Sequence, residues 1–233
     1  MIEYLSNPVF WVGLGQIIIV NIVLSGDNAV VIALASRSLP PHQQKKAIFW
    51  GSAAAIVMRI ILTVIALEML KWPYLKIVGG LLLLYIGITL LLEEDESGDQ
   101  GKADNDGSLM VAVRTILIAD LVMSLDNVLA VAAAAKGNVP LLVIGLAISI
   151  PLIIFGSTLL LKVMERYPLI VTAGAALLGF LAGEMLLTDP AVVARFGELS
   201  HTLVNIAGAI GAAIVVAAGT ALNRRRQQKA ATQ

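Results

Sequence analysis

Cysteine is absent from all 233 residues, and only two histidines occur. Disulfides, iron–sulfur clusters and thiolate zinc sites are thereby excluded. His42 and His201 both fall in connecting regions, so a multi-histidine site inside the apolar segments is excluded too. Charge is scarce: Asp, Glu, Lys and Arg make up 14% of the chain, against about 25% in a soluble domain. The charges cancel to a net of zero, which argues against a nucleic-acid partner. Residues 1–8 hold Glu3 but neither Lys nor Arg. The basic region of a cleaved signal peptide is missing, and the first hydrophobic run reads as a retained span. No phosphate-binding loop and no nucleophile–base constellation occurs, so neither an enzyme nor an ATP-driven pump is expected.

What remains is apolar: 58% of the residues are hydrophobic and the mean hydropathy is +0.90. A membrane-spanning helix needs about 20 mostly apolar residues. Seven segments meet that requirement: Val9–Ala35, Ala47–Leu70, Tyr74–Leu92, Leu109–Ala135, Pro140–Leu161, Ile170–Leu187 and Leu203–Leu222. None alternates with period two, so helices are expected rather than a barrel. The expectation is an all-α polytopic protein of the inner (plasma) membrane, a single transmembrane domain over residues 1–233.

Orientation follows from the bias of Lys and Arg toward cytoplasmic loops. With the N-terminus outside, the cytoplasmic side receives Arg37, Lys45, Lys46, Lys102, Lys162, Arg166, Arg224, Arg225, Arg226 and Lys229. The outer side then holds only Lys71, Lys76, Lys136 and Arg195. The C-terminal basic tail, residues 223–233, is cytoplasmic in this arrangement. The one long polar connection, residues 93–108, carries seven acidic residues (Glu93, Glu94, Asp95, Glu96, Asp99, Asp104, Asp106) against Lys102. It reads first as a flexible linker and second as a funnel that gathers cations.

Around that linker the chain repeats itself. The run from Asn21 through Ser25-Gly26-Asp27-Asn28 to Ala33 lies over the run from Asp120 through Ser124-Leu125-Asp126-Asn127 to Ala132. Repeat one is residues 9–92 and repeat two residues 109–187, with an extra helix at 203–222. Three spans per copy make the second copy enter the membrane from the opposite side. This is the inverted-repeat design of secondary transporters, whose sites lie near the midplane. An ionised Asp within the bilayer costs about 2.5–3.5 kcal/mol on insertion scales. Two at matching positions point to a shared site more readily than to helix packing alone.

Ser, Asp and Asn compete with helical backbone hydrogen bonds, and Gly26 adds freedom, so the first helix is expected to break near Ser25. Asp120 and Asp126 are about 120° apart on an unbroken helix, and unwinding near Ser124 would bring them together. The expected metal ligands are Asp27, Asn28, Asp120, Asp126 and Asn127. Such hard oxygen donors suit Mg²⁺, Ca²⁺ or Mn²⁺. Asn21, Ser25, Ser124 and Met123 lie beside them, Met123 either as a thioether favouring Mn²⁺ or as packing. Arg59, midway along the second span, is either a counter-ion to Asp27 or Asp120 or a cation-repelling gate. Glu184 is a proton-carrying carboxylate, an exit ligand or an interfacial residue in water. Glu68 and Lys71 read as interfacial.

These residues resemble the TerC family of integral membrane proteins. The likeness is carried by Leu24-Ser-Gly-Asp27-Asn28-Ala-Val-Val-Ile-Ala-Leu-Ala with Arg37-x-Leu39-Pro40. Lys46-Ala-Ile-x-x-Gly51 with Arg59 adds to it, as does Asp120-x-x-Met-Ser-Leu-Asp126-Asn127 running to Asn138. It covers nearly the whole chain outside the acidic linker and the basic tail. The resemblance implies export of manganese as a transported substrate, with no prosthetic group, in a superfamily that includes amino-acid and other cation exporters. It places the family's acidic motif on Asp27, Asp120 and Asp126. Asn21 stands where many members have Glu, which lowers the charge of the first half-site. Exchange for protons is expected because a carboxylate must be deprotonated to bind a metal. The partners expected are the lipid bilayer, a divalent cation and protons, with a homodimer left open. Export of small organic solutes, or a non-transporting role in metalating exported proteins, are the alternatives.

Overall fold

The computed structural model describes residues 8–24, 26–69, 72–92, 105–135 and 138–230. Among these, nine helices and no strand occur: α1 (Pro8–Leu24), α2 (Gly26–Arg37), α3 (Pro41–Met69), α4 (Leu75–Leu92), α5 (Asn105–Ala135), α6 (Val139–Arg166), α7 (Leu169–Leu187), α8 (Pro190–Phe196) and α9 (His201–Ala230). The punctuation is local chemistry. Asn138 Oδ1 accepts from Leu141 N at 3.1 Å and opens α6, and Tyr167-Pro168 separates α6 from α7. Asp189 caps α8 ahead of Pro190, at the first-turn position where proline's missing N–H does no harm. Gly197, with φ of 75°, closes that short helix.

Five helices among the described residues are long and apolar enough to cross a membrane, or six if α1 and α2 form one bent span. Their described parts, Trp11–Asn21 and Gly26–Arg37, meet at 49°. Of the seven expected spans, the fourth does not enter this count. Its helix α5 is nonetheless 31 residues long, about 46 Å at the α-helical rise, which exceeds the roughly 30 Å hydrocarbon core. It begins at Asn105, inside the segment expected as linker; residues 93–104 of that linker lie outside the described residues. At the other end, α9 continues to Ala230 through residues expected as a tail. His42, expected in a connection, lies in the first turn of α3.

Close helix contacts fix the relative directions. A Cβ on Gly51 of α3 would lie 2.7 Å from Ile116 of α5, and one on Gly145 of α6 would lie 2.5 Å from Ile17 of α1. Ile17 precedes Asn21, and Ile116 precedes Asp120, by one helical turn. The first helix of each copy therefore meets the second helix of the other copy through the same isoleucine-on-glycine contact. With Gly13 against Leu141 as well, α1 and α6 run parallel. The third helices, α4 and α7, are antiparallel, since Gly80 abuts Ala182 while Gly87 abuts Ala175. Helix α9 lies against both, and its Gly211 backs directly onto the Gly179 carbonyl, where a Cβ would come within 2.1 Å. Such backbone-to-backbone contact is how small residues hold helices together in lipid. Gly179 and Gly183 of α7 thereby pack against Ala207, Gly208 and Gly211 of α9.

Candidate functional site

The middle of the bundle holds a buried charge. Arg59 of α3 is 1% exposed, and an arginine does not shed its proton in a protein, so its charge has to be met by neighbours. Its Nη1 donates to Asn21 Oδ1 at 2.8 Å and its Nε to Ser124 Oγ at 3.0 Å. Its Nη2 pairs with Asp120 Oδ1 in a buried salt bridge. The Ser124 hydroxyl in turn donates to Asp120 Oδ2 at 3.2 Å. Thr63, one turn further along α3, donates its hydroxyl to the Arg59 carbonyl at 2.7 Å.

Asn21 comes from α1 of the first copy, and Asp120 and Ser124 from α5 of the second. Asn21 and Asp120 are the repeat-equivalent residues, so both copies present an oxygen to the same guanidinium. Of the two carboxylates offered as partners for Arg59, Asp120 is the one it binds.

The expected unwinding of α5 is not found: the helix runs unbroken through Ser124 to Asn127. The reason lies in what Ser124 does with its hydroxyl. A serine loosens a helix when it bonds the backbone, but this one is committed to Arg59 and to the Asp120 side chain. Where repeat one has Gly26, repeat two has Leu125, whose side chain is buried, and the helix of the second copy stays continuous.

In repeat one, Asp27 lies in the first turn of α2, and its Oδ1 accepts from Asn28 N at 2.8 Å. It thereby meets one of the free N–H groups of that helix end. Asp27 is half-buried and within electrostatic range of both Arg59 and Asp120. Asn28 is fully buried, and its side-chain amide has no hydrogen-bond partner among the described residues. Asn127 is half-buried on α5. Ser25, and the side chain of Asp126, lie outside the described residues, as do the side chains of Glu68 and Lys71. Met123 is in the apolar core. Glu184 is half-buried near the end of α7, away from this cluster in sequence and helix.

Among the described residues, no three of His, Cys, Asp and Glu stand together as an ion-holding group. The third carboxylate of the expected set, Asp126, lies outside that comparison, and Asp120 is paired with Arg59. The described oxygen donors around the guanidinium are one carboxylate, one amide and one hydroxyl.

Sequence reasoning passed over Asp189. It is fully buried, and its carboxylate accepts from Tyr74 N at 2.9 Å, Ala191 N at 2.8 Å, Lys76 N at 3.0 Å and Ile77 N at 3.3 Å. Burial pushes its pKa up, but the four backbone donors outweigh that and hold the carboxyl below its ordinary value of 3.8. One side chain thus closes the N-termini of α8 and α4, and it tethers Tyr74 in its left-handed conformation with φ of 70°. The Asp-Pro step at 189–190 was the available signal, since it reads as a helix cap.

A bundle of apolar helices around a buried arginine–carboxylate cluster defines a polytopic integral membrane protein. The chain belongs to the TerC family: the model of the integral membrane protein TerC family matches residues 6–229. It is 46% identical over 180 residues to the uncharacterized membrane protein YjbE of Bacillus subtilis (strain 168), covering 77% of this chain and 81% of that one. It is 28% identical over 190 residues to the uncharacterized membrane protein YceF of the same organism, covering 78% and 74%. With the UPF0053 inner membrane protein YoaE of Escherichia coli (strain K12) it shares 29% identity over 186 residues, 72% of this chain but 36% of YoaE. No solved structure matches the chain.

Proposed function

We propose that the protein is a secondary transporter of the inner membrane that exports a divalent cation, with Mn²⁺ the first candidate, in exchange for protons. The observation that carries this reading is the meeting of Asn21, Asp120 and Ser124 on one buried positive charge. Oxygen atoms from equivalent places in two sequence copies converge inside the bundle, which supports a substrate site of the kind that transporters of this design hold between their repeats. Asp27 and Asn28, just after the bend between α1 and α2, and Asp126 and Asn127 of the α5 sequence complete the proposed donor set.

The topology proposed with it has seven spans, the N-terminus outside and the C-terminus in the cytoplasm, and all residues in one transmembrane domain. Gly51 meets Ile116 and Arg59 meets Asp120, so α3 and α5 are parallel; that pairing, the parallel pairing of α1 with α6 and the antiparallel pairing of α4 with α7 support an inverted repeat. An organic-solute exporter is less well supplied, because Arg59, the buried cation that would receive a substrate carboxylate, already serves Asp120. No catalysis is proposed.

Reconstitution into proteoliposomes tests the reading. The wild-type chain is expected to carry Mn²⁺ down an opposing proton gradient. Asp27→Asn and Asp126→Asn should each reduce that flux by at least about tenfold, since removing one charged ligand costs more than 1.4 kcal/mol of binding. Full Mn²⁺ flux through both variants would remove these residues from the site.

A further inference from the structure

The guanidinium of Arg59 does more than neutralise an acid. Among the described residues it contacts oxygen atoms of three side chains at once, from helices of both copies, and Asp120 Oδ2 is taken by Ser124. Both oxygens of the Asp120 carboxylate are therefore engaged. A metal ion binds carboxylate, amide and hydroxyl oxygens of the same kind. Each of these donors is occupied by a positive charge that belongs to the protein and cannot be titrated away.

Resting on the reading of the site as a cation site, we infer that Arg59 is a tethered counter-cation. It occupies the Asn21–Asp120–Ser124 oxygen cage when no substrate is bound, and it leaves the cage when a cation enters. The arrangement has two consequences. First, the empty carrier holds no unneutralised charge at Asp120, so the cage reorients without borrowing a proton there. Second, an entering ion has to outcompete a fixed monovalent cation held by hydrogen bonds to three side chains. A monovalent metal ion offers no more charge than the guanidinium and gives up its hydration besides. A divalent ion also gives up hydration, at a higher cost, but it brings twice the charge to the same carboxylate, and Coulomb attraction scales with that charge. Arg59 thus acts as the selectivity element against Na⁺ and K⁺. The displaced guanidinium has a second carboxylate within electrostatic range in Asp27, in the first turn of α2. Its hand-over from α5 to α2 would tie substrate entry to the helix that follows the bend.

The test uses the purified full-length protein in lipid nanodiscs, with Mn²⁺ affinity measured calorimetrically in the presence and absence of about 0.15 M KCl, the physiological ionic strength. The same titration is run on Arg59→Gln, Arg59→Lys and Asp120→Asn. In the wild type, K⁺ is expected to change Mn²⁺ affinity by no more than about twofold, the size of general screening. In Arg59→Gln the vacated carboxylate admits K⁺, and K⁺ should weaken Mn²⁺ binding by about tenfold or more. Arg59→Lys keeps the charge and should keep the K⁺ insensitivity. It should bind Mn²⁺ more tightly than the wild type, because an ammonium lacks the fork that grips three partners. That variant also carries the test if Arg59→Gln does not fold. Asp120→Asn should be blind to K⁺. Unchanged Mn²⁺ affinity and K⁺ response in both Arg59 variants would overturn the displacement while leaving the cation site standing. A wild-type protein that binds no divalent cation would instead overturn the site reading, and the displacement with it.

Discussion

Asp120 and Arg59 illustrate how asymmetric a buried ion pair is. Taking both charges out of water is expensive, and their mutual attraction repays that cost only in good geometry. Removing one partner alone strands the other. Asp120→Ala is therefore expected to destabilise the protein by about 3–5 kcal/mol, while Arg59→Met combined with Asp120→Leu, which removes both charges, should cost much less. Thermal unfolding in detergent would measure both. Equal losses in the single and double variants would show that the cluster contributes packing rather than charge pairing. Residue chemistry alone left Arg59 with two candidate partners, Asp27 and Asp120. The choice is made by the parallel register of α3 on α5, which the Gly51–Ile116 contact sets. No local pattern encodes that register. The same gap explains the misread at Ser124, whose helix-loosening tendency is overridden by a hydrogen bond to a residue far away in the chain.

At the scale of elements, the apolar helices were legible because hydropathy is summed over many residues, and single polar positions barely change the sum. Their ends were less so. Helix α9 runs on through Arg224 to Ala230 because nothing in that stretch, neither Gly nor Pro, stops it. The Asp189 junction was half legible: the cap before Pro190 is local, whereas the bonds to Lys76 and Ile77 join distant parts of the chain. Its effect on stability has a defined sign. The folded-state pKa is lowered, so the ionised carboxylate contributes stability at neutral pH. That contribution is fully present above the ordinary value of 3.8 and is lost as pH falls through the lower folded-state value. Asp189→Asn keeps one acceptor oxygen but puts an NH₂ where the other accepted from α4. It should cost about 1–3 kcal/mol at pH 7. Melting temperatures of the two proteins, followed from neutral to acid pH, should stay separated down to the ordinary carboxylate range and converge below it. A gap that persists unchanged into strong acid would rule out the ionised staple.

For the whole molecule, two independent observations bear on orientation. In the proposed topology the Lys and Arg residues divide unequally between the two sets of loops, and that bias predicts which end faces the cytoplasm. The helix registers set which elements share a direction: α1 with α6, α3 with α5, and α4 with α9, while α7 opposes α4 and α9. In the proposed topology the two together put the end of α2 on the cytoplasmic side and the segment between α8 and α9 outside. The 30 residues of α9 extend about 45 Å at the helical rise, roughly 15 Å more than the hydrocarbon core, so in the proposed topology its arginine-bearing end projects into the cytoplasm. The lack of cysteine makes this directly measurable, because any thiol introduced is the sole target for a maleimide. Ser38, just after α2, and Ser200, just before α9, are both exposed. In intact cells, Ser200→Cys should react with a membrane-impermeant maleimide, and Ser38→Cys should react only after the membrane is opened. The opposite pattern would invert the protein. Reaction of both from outside would mean that an odd number of crossings does not separate the two positions, and the inverted repeat could not then stand.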